Sequence, residues 1–253
     1  MASVDSHLCS HCNEVAMEKQ GGAIDGDLIG WRAAPVSRGG TMYKLYNVKG
    51  WGSIAPHFVL EEMGLAYENV WMTPEQVRQP AFREISPLGF IPALGLDDGR
   101  AIFESAAIVA FLTVAHPDKG LAPPPGSNDY GVYLAWLTFM SSNIYAAINI
   151  AYHGRALVDS DEAFVVLGQG GAARANKLFE LLDDRLGQEG PFIVGDSFSA
   201  ADIYLFMLAL WAKPSERALL ERCRNIARVS EEVRRRPKLR ATLEVHGVAQ
   251  PRG

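Results

Sequence analysis

The chain has 253 residues, 48% of them hydrophobic and 21% charged, with a formal net charge of -5. This length predicts one large domain or two of roughly 100 to 150 residues, and the composition excludes disorder and collagen-like repeats. The acidic balance argues against nucleic acid or an anionic membrane as the main partner, and three cysteines, Cys9, Cys12 and Cys223, do not make a disulfide framework.

Residues 1–40 are rich in Gly, Ser, Asp and Glu without a sustained apolar period, which predicts a flexible extension. No basic start followed by an apolar stretch occurs there, so the expected location is the reducing cytoplasm. His7, Cys9, His11 and Cys12 are soft ligands packed closely in sequence. A zinc site or redox pair is one reading and a tail with incidental thiols the other; with no second ligand pair at zinc-finger spacing, no metal is assigned.

Residues 41–116 read as an α/β unit. A strand from Met42 to Asn47 leads through a turn at Gly50 and Gly52 into an amphipathic helix, Ile54 to Met63, closed by Gly64. A strand follows at Ala66 to Met72, and Thr73-Pro74 opens a short helix. After the break at Pro87-Leu88-Gly89 come strands at Ile91 to Leu96 and Arg100 to Phe103, joined by an Asp97-Asp98-Gly99 turn and hence antiparallel. A helix runs from Glu104 to Ala115. This order, βαβ then α then ββα, predicts a thioredoxin-like domain.

Four prolines and two glycines between His116 and Asn128 mark residues 117–127 as a linker. Residues 128–253 read as an all-α domain, with helices at Tyr130 to Tyr152, Glu162 to Gln188, Ala200 to Ala212, Glu216 to Ala227 and Ser230 to Arg235. Within the first of these, Leu134 to Tyr152 is interrupted by Thr138, Ser141, Ser142, Asn143 and Asn149, against a membrane span. Ser199-Ala200-Ala201-Asp202 is a capping box, so Asp202 is expected to satisfy backbone donors rather than react.

The run Ser86-Pro87-Leu88-Gly89-Phe90-Ile91-Pro92-Ala93-Leu94, then Asp97-Asp98-Gly99, Glu104-Ser105-Ala106-Ala107-Ile108 and a helical second half, resembles the cytosolic glutathione S-transferases. The likeness runs from about Tyr43 to Gly247, includes Gly195 to Ile203 and Arg228 to Gly247, and is to bacterial members of either the serine-type or the beta-like group, with the turn at Ser53 also resembling that of the β-etherases. It implies glutathione as co-substrate, a homodimer, and attack of the glutathione sulfur on a small electrophile. Conjugation, peroxide reduction and aryl ether cleavage are not separated. A non-catalytic binding or regulatory relative is the second reading.

On local sequence, the Ile91-Pro92 bond is either cis, leaving Ile91 to pair with an extended peptide, or merely the start of an edge strand. Glu104-Ser105 is either an ordinary helix cap or, as the resemblance implies, a site for the γ-glutamyl ammonium and carboxylate. Arg78 matches a basic position for the glycine carboxylate. A thiol of pKa about 8.5 is only a few per cent ionised at neutral pH, and one hydrogen bond to the thiolate supplies roughly one to two pKa units. Gly52 stands where the cysteine-using class of the family has Cys, which leaves Ser53 as the expected catalytic donor, with helix capping as its alternative role. Tyr46 is the rival hydroxyl, expected to point into the core. Trp51, His57, Thr138, Asn143 and Tyr145 are the expected substrate-pocket residues.

Overall fold

The structure, a computed structural model, describes residues 42–252. The expected extension over residues 1–40, with its His7, Cys9, His11 and Cys12 cluster, lies outside the described residues.

Strand β1 (Tyr43–Asn47) buries Tyr43, Leu45 and Asn47 on one face and half-exposes Lys44 and Tyr46 on the other, the two-residue period of a pleated strand. It pairs in parallel with β2 (Tyr67–Trp71) and antiparallel with β3 (Ala93–Gly95), which pairs antiparallel with β4 (Ala101–Phe103). The spatial order is β2-β1-β3-β4. Tyr46 shares the face of Lys44 and packs edge-on against Phe82 at 5.7 Å, away from the main core expected for it. The third strand begins at Ala93, so Ile91 precedes the ladder instead of opening it.

Helix α1 (Ile54–Met63) is buried along almost its whole circumference, as suits a helix covered by the sheet on one side and by helices on the other. Gly64 ends it at φ 64°, a left-handed turn that costs glycine no Cβ clash. The short α2 (Pro74–Val77) starts on a reciprocal cap between Thr73 and Gln76. Helix α3 (Ser105–Ala115) follows β4 directly, and one 3₁₀ turn, Pro117–Lys119, lies in the expected linker.

The helix expected over Tyr130 to Tyr152 is three pieces: α4 (Asn128–Phe139), a π-helical segment Met140–Tyr145, and α5 (Ala146–His153). Helix α6 (Asp161–Glu189) agrees with expectation within a residue at each end. Every residue of α7 (Ala200–Ala209) is buried, which makes it the central rod of the helical core. Its Asp202 carboxylate accepts from the Ser199 N–H at 2.8 Å, the Ser199 hydroxyl at 2.9 Å and the Ile193 N–H at 2.9 Å, the folding role expected of it. The chain then forms α8 (Glu216–Arg222), α9 (Arg224–Arg235) and α10 (Arg240–His246); the helix break falls at Cys223, not beyond Ala227.

Candidate active site

The turn between β1 and α1 is tied by the backbone, with Trp51 N–H donating to Val48 O at 3.2 Å and Ile54 N–H to Trp51 O at 3.0 Å. Ser53 is fully buried within it. Its hydroxyl donates to Val48 O at 3.1 Å and accepts from Val48 N–H at 3.3 Å, so donor and acceptor both close the loop. This corrects the two roles expected of Ser53: the proton is committed away from any groove, and no side-chain cap to α1 forms.

Gly52 faces the other way. A Cβ there would lie 3.4 Å from Ile91 O, 3.5 Å from Pro92 Cδ and 2.5 Å from the Tyr145 hydroxyl. The Ile91-Pro92 peptide is cis, and Ile91 makes no backbone hydrogen bond with another described residue. Next to this edge, Glu104 holds φ 70° at the start of α3, a conformation that costs a non-glycine residue of order 1–3 kcal/mol. Its side chain is exposed, while the Ser105 hydroxyl behind it is buried and shares a 2.9 Å hydrogen bond with Tyr204. Burial pushes the Tyr204 phenol up to about 12, so it stays protonated.

Tyr145 comes from the far end of the π-helical segment and stacks on Trp211, with ring centroids 5.4 Å apart and planes at 27°. Burial raises its phenol, and neighbouring Tyr204, once ionised, and Glu104 act in the same direction. Trp51 and Thr138 are exposed, on the turn and on α4 respectively. Arg78 is a solvated side chain, 3.9 Å from Glu75.

His57 does not join this groove. It is 4% exposed and belongs to a separate polar chain behind the turn, which corrects its expected place in the pocket. Gly50 N–H donates to His246 Nδ1 at 3.1 Å, and a backbone N–H can only donate, so His246 carries its proton on Nε2. That nitrogen donates to His57 Nδ1 at 2.8 Å, His57 Nε2 donates to the Tyr67 hydroxyl at 2.7 Å, and Tyr67 donates to Glu61. Burial pushes His57 down to about 4; burial chiefly, then His57, Arg252 and Lys49, push His246 down to about 3. Both rings are therefore neutral, and they fasten the last helix to the turn that carries Gly52.

Residues 54–114 match the family model for the glutathione S-transferase N-terminal domain, and residues 161–241 match that for the C-terminal domain. The chain belongs to the glutathione S-transferase family. GstA of Escherichia coli O157:H7 is 26% identical over 208 residues, 81% of this chain and 99% of its own. The crystal structure of a glutathione transferase from Methylococcus capsulatus is 30% identical with a TM-score of 0.70, over 82% of this chain and 100% of that one. A sphingomonad glutathione S-transferase complexed with glutathione is 29% identical with a TM-score of 0.69, over 81% of this chain and 100% of that one. In this transferase, sequence reading missed Tyr204, Trp211 and His246. Tyr204 had a signal, a hydroxyl inside a helix that is apolar apart from the capping Asp202, whereas nothing local marked Trp211 or His246. Among the described residues no helix is long and apolar enough to cross a membrane, and no group of His, Cys, Asp and Glu is arranged to hold a metal.

Proposed function

We propose that this transferase binds glutathione along the Ile91-Pro92 edge and ionises its thiol for attack on a small hydrophobic or aromatic electrophile. The observation that carries the reading is the adjacency of Gly52, at the head of α1, to the Ile91 carbonyl and Pro92 ring, with the strained Glu104 one residue past Phe103, the β4 partner of Ala93. The cysteinyl unit of the tripeptide pairs with Ile91 as an added strand would. Its γ-glutamyl carboxylate takes the free N–H groups around Ser105, Glu104 accepts from the ammonium, and Arg78 serves the glycine carboxylate. The positive end of α1 favours the thiolate.

The thiolate then forms a C–S bond to the electrophilic carbon, and the leaving group departs with the bonding pair; the proton of the thiol passes to water. Trp51, Thr138 and Tyr145 border the second substrate. The proposed assembly is a cytoplasmic homodimer with neither nucleic acid nor membrane as partner, as the family likeness and acidic composition support.

Retention on immobilised glutathione, with turnover of a dinitrophenyl halide, tests the reading. Glu104→Gln is expected to weaken glutathione by about 10- to 100-fold, the loss of one charge-assisted hydrogen bond. Neither retention nor turnover would overturn it in favour of a non-catalytic binding or regulatory protein, a reading to which the inward Ser53 lends support.

A further inference from the structure

With Ser53 turned inward, the groove needs another donor for the sulfur. We infer that Tyr145 is a catalytic residue of this transferase, its hydroxyl donating a hydrogen bond to the sulfur of bound glutathione from the helical half of the chain. The inference rests on the proposal that glutathione occupies this groove.

Three observations lead to it. First, the hydroxyl of Tyr145 sits 2.5 Å from where a Cβ on residue 52 would be, closer than side-chain carbons come. Glycine at 52 and tyrosine at 145 are therefore two halves of one arrangement: the phenol occupies the space a cysteine side chain would take, beside the backbone of Ile91 and the ring of Pro92. Second, the hydroxyl hydrogen-bonds to no other described residue and is not fully buried, so its proton is free to be donated. Ring packing is handled separately by the Trp211 stack, which needs no oxygen. Third, the residue is delivered by a π-helical segment, Met140–Tyr145, which puts one extra residue into the turn and re-aims the side chains beyond it.

The chemistry balances without an added reagent. Tyr145 keeps its proton and shares it with the thiolate, while the thiol proton leaves to water. A phenol held protonated well above neutrality by its surroundings is fitted to donate and unfitted to act as a base.

The test measures the pKa of enzyme-bound glutathione from thiolate ultraviolet absorbance, with glutathione affinity measured by calorimetry on the same samples. Tyr145→Phe keeps the ring and removes only the oxygen. It is expected to raise the bound thiol pKa by roughly one to two units, about a 10- to 100-fold fall in thiolate fraction below that pKa, with the affinity for neutral glutathione little changed. Gly52→Ala leaves Tyr145 intact but forces its hydroxyl away, and is expected to raise the pKa in the same direction. Binding with a lowered thiol pKa that neither substitution moves would overturn the inference and leave the transferase reading standing. A wild-type protein that does not bind glutathione would overturn both.

Discussion

Acidification from neutral pH to about 4 adds protons to a His57–His246 pair that is folded around neutral rings. Each ring uses one nitrogen as acceptor and the other as donor, so an added proton sets N–H against N–H across a 2.8 Å contact or against the Gly50 N–H. The charged groups facing the pair do not relieve this evenly: Lys49 and Arg252 oppose the charge on His246, while Glu61 lies 4.0 Å from His57 Nε2. Both folded-state values are depressed from 6.5, to about 4 and about 3. The unfolded chain therefore binds more protons than the folded one below pH 6.5, and stability is lost as pH falls. At pH 4 each histidine has withdrawn about 3 kcal/mol, a large share of a typical total of about 5–15 kcal/mol.

Asp202 acts in the opposite sense. Burial pushes it up to about 6, so it gains stability as pH falls from 6 toward 3.8. Comparing wild type with His246→Gln cancels that contribution, because Asp202 is common to both. Urea unfolding followed by tryptophan fluorescence at several pH values between 6 and 4.5 gives the slope of stability against pH. The variant is expected to have a slope shallower by about 1.4 kcal/mol per pH unit, the signature of one proton no longer taken up on unfolding. Equal slopes would mean that His246 titrates alike in both states, and the neutral-relay account would be refuted.

Two further substitutions separate competing effects. Gly171→Ala gains about 1 kcal/mol of helix propensity but sets a Cβ 2.8 Å from Ala147 O and Ala151 N, backbone atoms of α5 that cannot step aside. Overpacking of about 1–3 kcal/mol should win, so this variant is expected to melt below wild type, whereas Gly170→Ala, with open space around it, should not; a Gly171→Ala protein as stable as wild type would refute the close helix contact. Ser53→Ala leaves the buried Val48 N–H without its partner, while Val48 C=O keeps the Trp51 N–H, and is expected to cost about 1–3 kcal/mol in urea unfolding; no loss would mean that the hydroxyl does not hold the turn.

The parts legible in the sequence were those decided by neighbours a few residues apart. Asp97-Asp98-Gly99 closes the β3–β4 hairpin because Gly99 takes φ 84° and the Asp98 carboxylate accepts from Arg100 N–H, all within four residues. Gly64 closes α1 directly after Met63 by taking φ 64°, as its place in the sequence predicts. The site was less legible because its geometry is set across the chain. His57 meets a partner 189 residues away, and Ser105 one 99 residues away, so no local pattern tells which way either side chain turns. Ser53 read as a reactive hydroxyl because the turn supplies no other, yet the backbone of Val48, five residues earlier, captures it.

The π-helical break marks where periodicity fails as a guide. Over six residues, α and π spacing predict nearly the same apolar positions, and Met140 and Ile144 are buried under either. The two differ in the direction given to the residue at the end of the segment, and here that residue is Tyr145. A regular helix continued through Ser141, Ser142 and Asn143 would turn the phenol to a different bearing, away from Gly52. The feature least visible in the sequence is thus the one that brings a hydroxyl from the helical half to the first turn of the α/β half.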